Sequence, residues 1–193
     1  MKRLIACTLV IPILASLACT SAVAATDRDE AASSARAARP AHEGEVPNFA
    51  LLDYQGKYHE LHRTQARAVV LFFTGNGCPI ARQSIPKLRA LRRKFADQGV
   101  VVWMVNTYSQ DDREAIRKEA KEFPVGSVPL LMDQRQALAL SFGVRRTAET
   151  IAIDTSDWSV FYRGAIDDQL SEGATKPEAT EKFLENALRQ HLA

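Results

Sequence analysis

Hydrophobic and polar positions divide the chain into three stretches. Residues 4–17 are almost wholly apolar, preceded by Lys2 and Arg3 and followed by the small residues Ala22-Val23-Ala24. A basic start, an apolar run too short to span a bilayer and a small-residue cleavage site are the marks of a secretory signal peptide. Residues 1–24 are therefore expected to be removed on export to the periplasm or the medium, with no stable membrane span left behind. A lipoprotein anchor at Cys19 is the minor alternative, disfavoured because Ser16 stands where a bulky aliphatic residue is usual. Residues 25–45 lack long aliphatics, are rich in Ala, Arg and Glu, and read as a flexible linker. Residues 46–193 carry the patterning of one folded domain without an internal repeat.

Within that domain, residues 49–52 and 57–61 flank Asp53-Tyr54-Gln55-Gly56, which predicts a β-hairpin around a glycine turn. Residues 68–73 and 100–105 are continuous apolar runs, the pattern of strands buried on both faces. Between them, residues 78–98 place Ile85, Leu88, Leu91 and Phe95 on one helical face, with Arg89, Arg92, Arg93 and Lys94 as a solvated face. The spacing predicts further helices over 110–122, 134–142 (closed by Gly143) and 177–191, and a short strand over 127–132. Residues 150–153 and 160–163 read as an antiparallel pair across Asp154-Thr155-Ser156-Asp157. Strands alternating with helices, then a hairpin and a closing helix, give an α/β fold: a central mixed sheet flanked by helices, with an N-terminal hairpin extension.

Hydrophobic residues at 46% and charged residues at 25% suit a soluble domain with a real core. Lys2 and Arg3 carry both units of the formal charge of +2, so the exported remainder is neutral. Nothing in that balance points to nucleic acid or to an anionic membrane surface as partner. Removal of the leader also takes Cys7 and Cys19 and leaves Cys78 as the sole thiol. A lone cysteine cannot form an internal disulfide; it is either a buried apolar residue or a reactive thiol.

Cys78 stands in Phe72-Phe73-Thr74-Gly75-Asn76-Gly77-Cys78-Pro79-Ile80-Ala81-Arg82, where a buried strand ends and a helix begins. Unpaired N–H groups and the helix dipole stabilise an anion at the first turn, and a thiolate is such an anion. Gly75 and Gly77 allow a sharp turn that leaves sulfur uncovered, and Pro79 suits the first helical position. Arg82, one turn on, adds positive charge near the sulfur or lies in solvent. Thr74 and Asn76 are candidate hydrogen-bond donors from the loop. Pro86 is expected to kink the helix. Two glycines and a helix N-terminus favour the reactive thiol over the inert one.

Cys78-Pro79-Ile80-Ala81-Arg82-Gln83-Ser84-Ile85-Pro86 resembles the active-site helix of the redoxin and alkyl hydroperoxide reductase/thiol-specific antioxidant family, which typically reads C-P-x-C-R-x-x-x-P. Val46-Pro47-Asn48-Phe49 with Asp53 and Gly56 is similar to that family's opening hairpin, residues 150–154 to its late core strand, and Tyr162-Arg163-Gly164 to the strand after it. The resemblance implies a thioredoxin-like fold, with Cys78 as attacking cysteine and Arg82, Pro79 and Pro86 at family positions. Three positions depart. Ala81 replaces the second, resolving cysteine. Gly75 replaces the threonine that peroxiredoxins carry three residues before the cysteine, leaving Thr74 as a stand-in. Ala148 holds the slot of a cis-proline or an arginine, with Arg145 and Arg146 close by to bind an oxyanion and Glu149 close by to oppose a thiolate.

The function so implied is an exported thiol-dependent oxidoreductase. Cys78 would attack a peroxide or a disulfide and be resolved by an external thiol reductant or partner protein. The alternative is a binding or chaperone module that kept the fold and lost the cycle. No cofactor is expected. Nor is a metal: copper-delivering relatives use two cysteines and a histidine, and His42, His59, His62 and His191 form no such set with Cys78. Trp103 and Trp158 read as packing residues.

Overall fold

The computed structural model describes residues 45–171 and 174–193. The expected leader, nearly all of the linker, Cys7 and Cys19 lie outside the described residues. Val46 is fully buried and its N–H donates to the Trp158 carbonyl at 2.8 Å, which ties this end of the described chain to the domain.

Strands β1 (Ala50–Leu52) and β2 (Tyr58–Glu60) form the expected hairpin, with Gly56 at φ 91° in its turn. A five-stranded sheet follows from β3 (Ala68–Thr74), β4 (Val100–Asn106), β5 (Leu130–Met132), β6 (Thr150–Asp154) and β7 (Val160–Gly164), in the order β5-β4-β3-β6-β7. β3, β4 and β5 run parallel, while β6 and β7 are antiparallel to their neighbours, which makes the sheet mixed. Among the described residues the α-helices are α1 (Pro79–Phe95), α2 (Arg113–Glu122), α3 (Ala137–Ser141) and α4 (Phe183–Leu192), with a 3-10 turn at Ala96–Gln98 after α1.

β3 shows why its sequence has no polar alternation: all seven of its residues are buried. Ala68, Val70 and Phe72 join a core with Ile85, Leu88, Leu91 and Phe95 of α1 and Leu184, Leu188 and Leu192 of α4. Val69, Leu71 and Phe73 join a second core with Trp103, Leu138, Phe142 and Leu61. A strand covered on both faces is apolar throughout. The same topology sets the C-terminal ends of β3 and β4 side by side, Thr74 opposite Asn106, and α1 begins there.

Several boundaries differ from the sequence pattern, each for a local reason. The second helix begins at Arg113 rather than 110 because the Asp112 side chain accepts from the Ala115 N–H at 2.7 Å and caps it there. The third covers only Ala137–Ser141: the buried Asp133 carboxylate takes the N–H groups of Leu138 (3.2 Å) and Ala139 (2.9 Å) and sets its start. Gly143 closes it at φ 59°, as its position suggested. The last helix begins at Phe183, not 177, because Asp168 gathers the Thr180 and Glu181 N–H groups into a turn. A small antiparallel pair, β8 (Leu170–Ser171) and β9 (Ala174–Thr175), precedes that turn and has no periodic signature of its own. α1 runs unbroken through Pro86.

Candidate active site

Cys78 is the N-cap of α1, with extended dihedrals (φ −72°, ψ 114°), and Pro79 follows at the first helical position. Its sulfur therefore does the work an aspartate or serine does at most helix starts, accepting the Ala81 N–H at 3.4 Å. The two glycines before it serve different ends. Gly77 has φ 81°, a conformation that L-residues rarely adopt, and open space where a side chain would stand. Gly75 is pressed beneath the Tyr108 ring, where an added Cβ would lie 2.6 Å from ring carbons. The thiol is half-buried.

A second donor reaches the sulfur from across the site. The Thr147 hydroxyl donates to Cys78 Sγ at 3.1 Å. It is placed by Ala148, whose N–H donates to the Phe73 carbonyl at 2.7 Å while Phe73 N–H donates to the Glu149 carbonyl at 2.9 Å. Ala148 itself adopts φ 64°, in a trans backbone. This segment carries no periodic or motif signal that would single out Thr147. The only clue is its place beside the departure at Ala148.

The loop residues expected to donate are tied to the end of β4 and to the loop that follows it. Asn76 N–H donates to the buried Asp111 carboxylate at 2.8 Å, and its side-chain carbonyl accepts from Asn106 Nδ2 at 3.2 Å. Asn106 also donates to Asp111 at 2.9 Å, so the three residues tie the loop to the end of β4. Thr74 is buried and offers its backbone carbonyl to the Thr107 N–H at 3.0 Å. Among the described residues, the hydrogen bonds to Sγ come from Thr147 and Ala81, not from Thr74 or Asn76.

Arg82 lies one turn on, as expected, but its guanidinium is committed. It makes a two-pronged ion pair with Glu119 of α2, Nε–Oε1 2.7 Å and Nη2–Oε2 2.8 Å, and lies over the Phe123 ring at 4.1 Å. The hydrogen bond from Arg82, with a further one from the Gly77 N–H at 3.2 Å, holds the Glu119 carboxyl below its ordinary value. Glu149 turns its carboxylate to Arg163, which also donates to the carbonyls of Phe142 and Gly143 at the end of α3. Arg145 and Arg146 are exposed, and Pro79 and Pro86 are likewise on the surface. His59 is paired with Asp53 at 2.9 Å beneath the first hairpin, and no group of three or more His, Cys, Asp or Glu among the described residues is placed to hold a metal. No described helix is long and apolar enough to cross a membrane.

A mixed sheet with a cysteine capping the helix that follows its central strand defines a thioredoxin-fold protein with a thiol at the helix start. Residues 43–165 match the AhpC/TSA family, and the chain belongs to it. Among curated relatives, a thiol-disulfide oxidoreductase ResA from Halalkalibacterium halodurans is 26% identical over 136 residues, 68% of this chain and 76% of the relative. The ResA of Geobacillus thermodenitrificans is 27% identical, and the matched region spans 56% of this chain and 61% of that protein, under two thirds of it. Among solved structures, an uncharacterized conserved protein from Geobacillus kaustophilus superposes with a TM-score of 0.67 at 26% identity, covering 77% of this chain and 80% of that one. The thioredoxin domain of a thiol-disulfide oxidoreductase from Bacteroides vulgatus superposes at 0.59 with 16% identity, covering 81% and 99%, a likeness of fold. The expected thioredoxin-like α/β fold and family are thus both found.

Proposed function

We propose that this chain is an exported thiol-disulfide oxidoreductase that works through Cys78 alone. The observation that carries the reading is the sulfur itself: half-buried, at the N-terminus of a 17-residue helix, with a hydroxyl and an amide aimed at it. Both donors and the helix dipole favour the thiolate over the thiol. The names of the curated relatives support disulfide chemistry over peroxide chemistry. So does the loop, where Gly75 stands in place of the peroxiredoxin-type threonine.

The cycle balances with one cysteine and an outside thiol. The Cys78 thiolate attacks one sulfur of a substrate disulfide, forming a mixed disulfide and releasing the other sulfur as a thiolate. An external thiolate then attacks the substrate sulfur of that mixed disulfide, restoring the Cys78 thiolate and leaving with the substrate as a new disulfide. Ala81, on the first turn of α1, has no sulfur with which to compete for either step. With a peroxide, the thiolate would instead take one oxygen to give a sulfenic acid and an alcohol or water. One external thiol would condense with it to a mixed disulfide, releasing water, and a second would displace the first as a disulfide and free the Cys78 thiol.

Ala81 is also the observation that favours a second reading, a binding module without turnover. Rates of the reduced protein with a small aromatic disulfide and with hydrogen peroxide separate the readings. Cys78 is expected to react with the disulfide faster than free cysteine at the same pH, and Cys78→Ser to abolish the reaction with the fold intact. A rate equal to that of free cysteine supports the binding module. Export and removal of residues 1–24 are checked by the intact mass of the protein recovered from the periplasm.

A further inference from the structure

We propose that Glu119 governs the nucleophilic strength of Cys78, restraining it by neutralising the Arg82 cation and by occupying the Gly77 N–H. The proposal rests on Cys78 being the reacting group. Its basis is a single carboxylate with two attachments. Oε1 lies 2.7 Å from Arg82 Nε and 3.2 Å from the Gly77 nitrogen, and Oε2 lies 2.8 Å from Arg82 Nη2. Arg82 is one turn beyond the cysteine on α1, and Gly77 is its immediate neighbour. Without the carboxylate, Arg82 would stand as a less compensated cation one turn from the sulfur, and the Gly77 N–H beside the cysteine would lose its acceptor. Glu119 is only partly exposed and sits against α1 in a small, mainly apolar pocket lined also by Ile85, Met104, Val125 and Leu130, so the pair is only partly screened by water.

The other charged groups around the site do not replace it. From α1, Arg82 stands on the first turn, while Lys87 is paired with Asp167 and Lys94 with Glu185. From α2 come Glu119 and, further out, Glu122, which acts on Arg82 from the same side. From the β4–α2 loop, Asp111 is bound to Asn76 and Asn106. From the segment before β6, Glu149 is paired with Arg163, while Arg145 and Arg146 are exposed. Glu119 is thus a positioning residue: it acts on the sulfur through Arg82 and the loop, not by touching it.

A charge-neutralising role predicts opposite signs for the two partners, which a merely structural tether does not. The measurement is the pH dependence of Cys78 alkylation by iodoacetamide, a neutral reagent, in the full chain. Glu119→Gln leaves Arg82 uncompensated while the amide oxygen still accepts from Gly77. Alkylation at pH 7 is expected to rise about threefold, with the midpoint moved to lower pH. Arg82→Ala leaves the carboxylate uncompensated and is expected to slow alkylation about threefold, with the midpoint moved up. The double variant is expected to fall back within about twofold of the parent. Glu119→Ala, with the same direction expected, serves if the amide variant does not fold. Single variants that shift in the same direction, or an unchanged midpoint in Glu119→Gln, overturn the proposal. Failure of the functional reading looks different: the parent then matches free cysteine toward disulfides, whatever the signs of the two shifts.

Discussion

At the scale of single residues, the chemistry at Cys78 was legible and its partners were not. Cys78, Pro79 and the two glycines announce a strand-to-helix turn with a sulfur at its head, because the backbone geometry required there admits few residue types. Arg82 could be placed one turn on, but no local rule says where a guanidinium points; its partner, Glu119, lies 37 positions away. Thr147, 69 positions from the cysteine, is equally out of reach of any periodicity. Its hydroxyl stabilises a thiolate more than a thiol, since hydrogen bonds to charged acceptors are the stronger ones. Thr147→Val is nearly isosteric and is expected to slow alkylation at neutral pH about five- to tenfold, the equivalent of one modest hydrogen bond. Thr147→Ser should restore most of the loss. An unchanged rate for the valine variant would remove Thr147 from the site.

At the scale of elements, strands and long helices followed from apolar spacing, and the exceptions have identifiable physical causes. Buried strands and α1 have continuous or strongly one-sided patterns, so their existence survives errors at the ends. Helix starts depend instead on side chains that cap from outside the periodic run, as Asp112 and Asp133 do. β8 and β9 are too short to show a period. α4 shows what the apolar stripe does. Leu184 and Leu188 are fully buried in the core shared with α1 and β3. Leu188→Ala is expected to lower unfolding free energy by about 3 kcal/mol, from lost transfer energy and the cavity left behind. Urea denaturation checks this. A loss under about 1 kcal/mol would mean that the helix repacks or contributes little to the fold.

At the scale of the whole molecule, carboxylates decide how the fold responds to acid. Arg82 holds Glu119 down, Lys94 holds Glu185 down, and Lys176 with Thr180 holds Asp168 down. Burial pushes Asp53 up, but its bonds with His59, Lys57 and Gln55 outweigh it and leave the group lowered. Each is ionised more readily folded than unfolded, so its stabilisation is present above the ordinary values of 3.8 for Asp and 4.5 for Glu and is lost as pH falls below them. Asp133 runs the other way: burial raises it, so its contribution favours low pH and is lost as pH rises past 3.8. Glu60 and Asp157 are lowered too, by hydrogen bonds from Asn48 and Ser159. With six carboxylates of the described residues lowered against Asp133 raised, the melting temperature is expected to hold from neutrality to about pH 5 and to fall steadily below about 4.5. Thermal unfolding followed by circular dichroism between pH 3 and 7 tests the sign; a melting temperature that rises on acidification would contradict it.

Phe73 has a consequence for how the site behaves in time. Its carbonyl and N–H hold the Ala148–Glu149 backbone, and its own strand runs on through Thr74 into the loop that ends at Cys78. Sulfur and hydroxyl therefore hang from one fully buried residue at the centre of the sheet. Both ends of the contact are thus tied back to the same strand, and the hydroxyl stands 3.1 Å from the sulfur before any charge forms there. Charge forming on the sulfur then meets a dipole already oriented toward it, and little reorganisation of the surroundings is required at the moment of reaction.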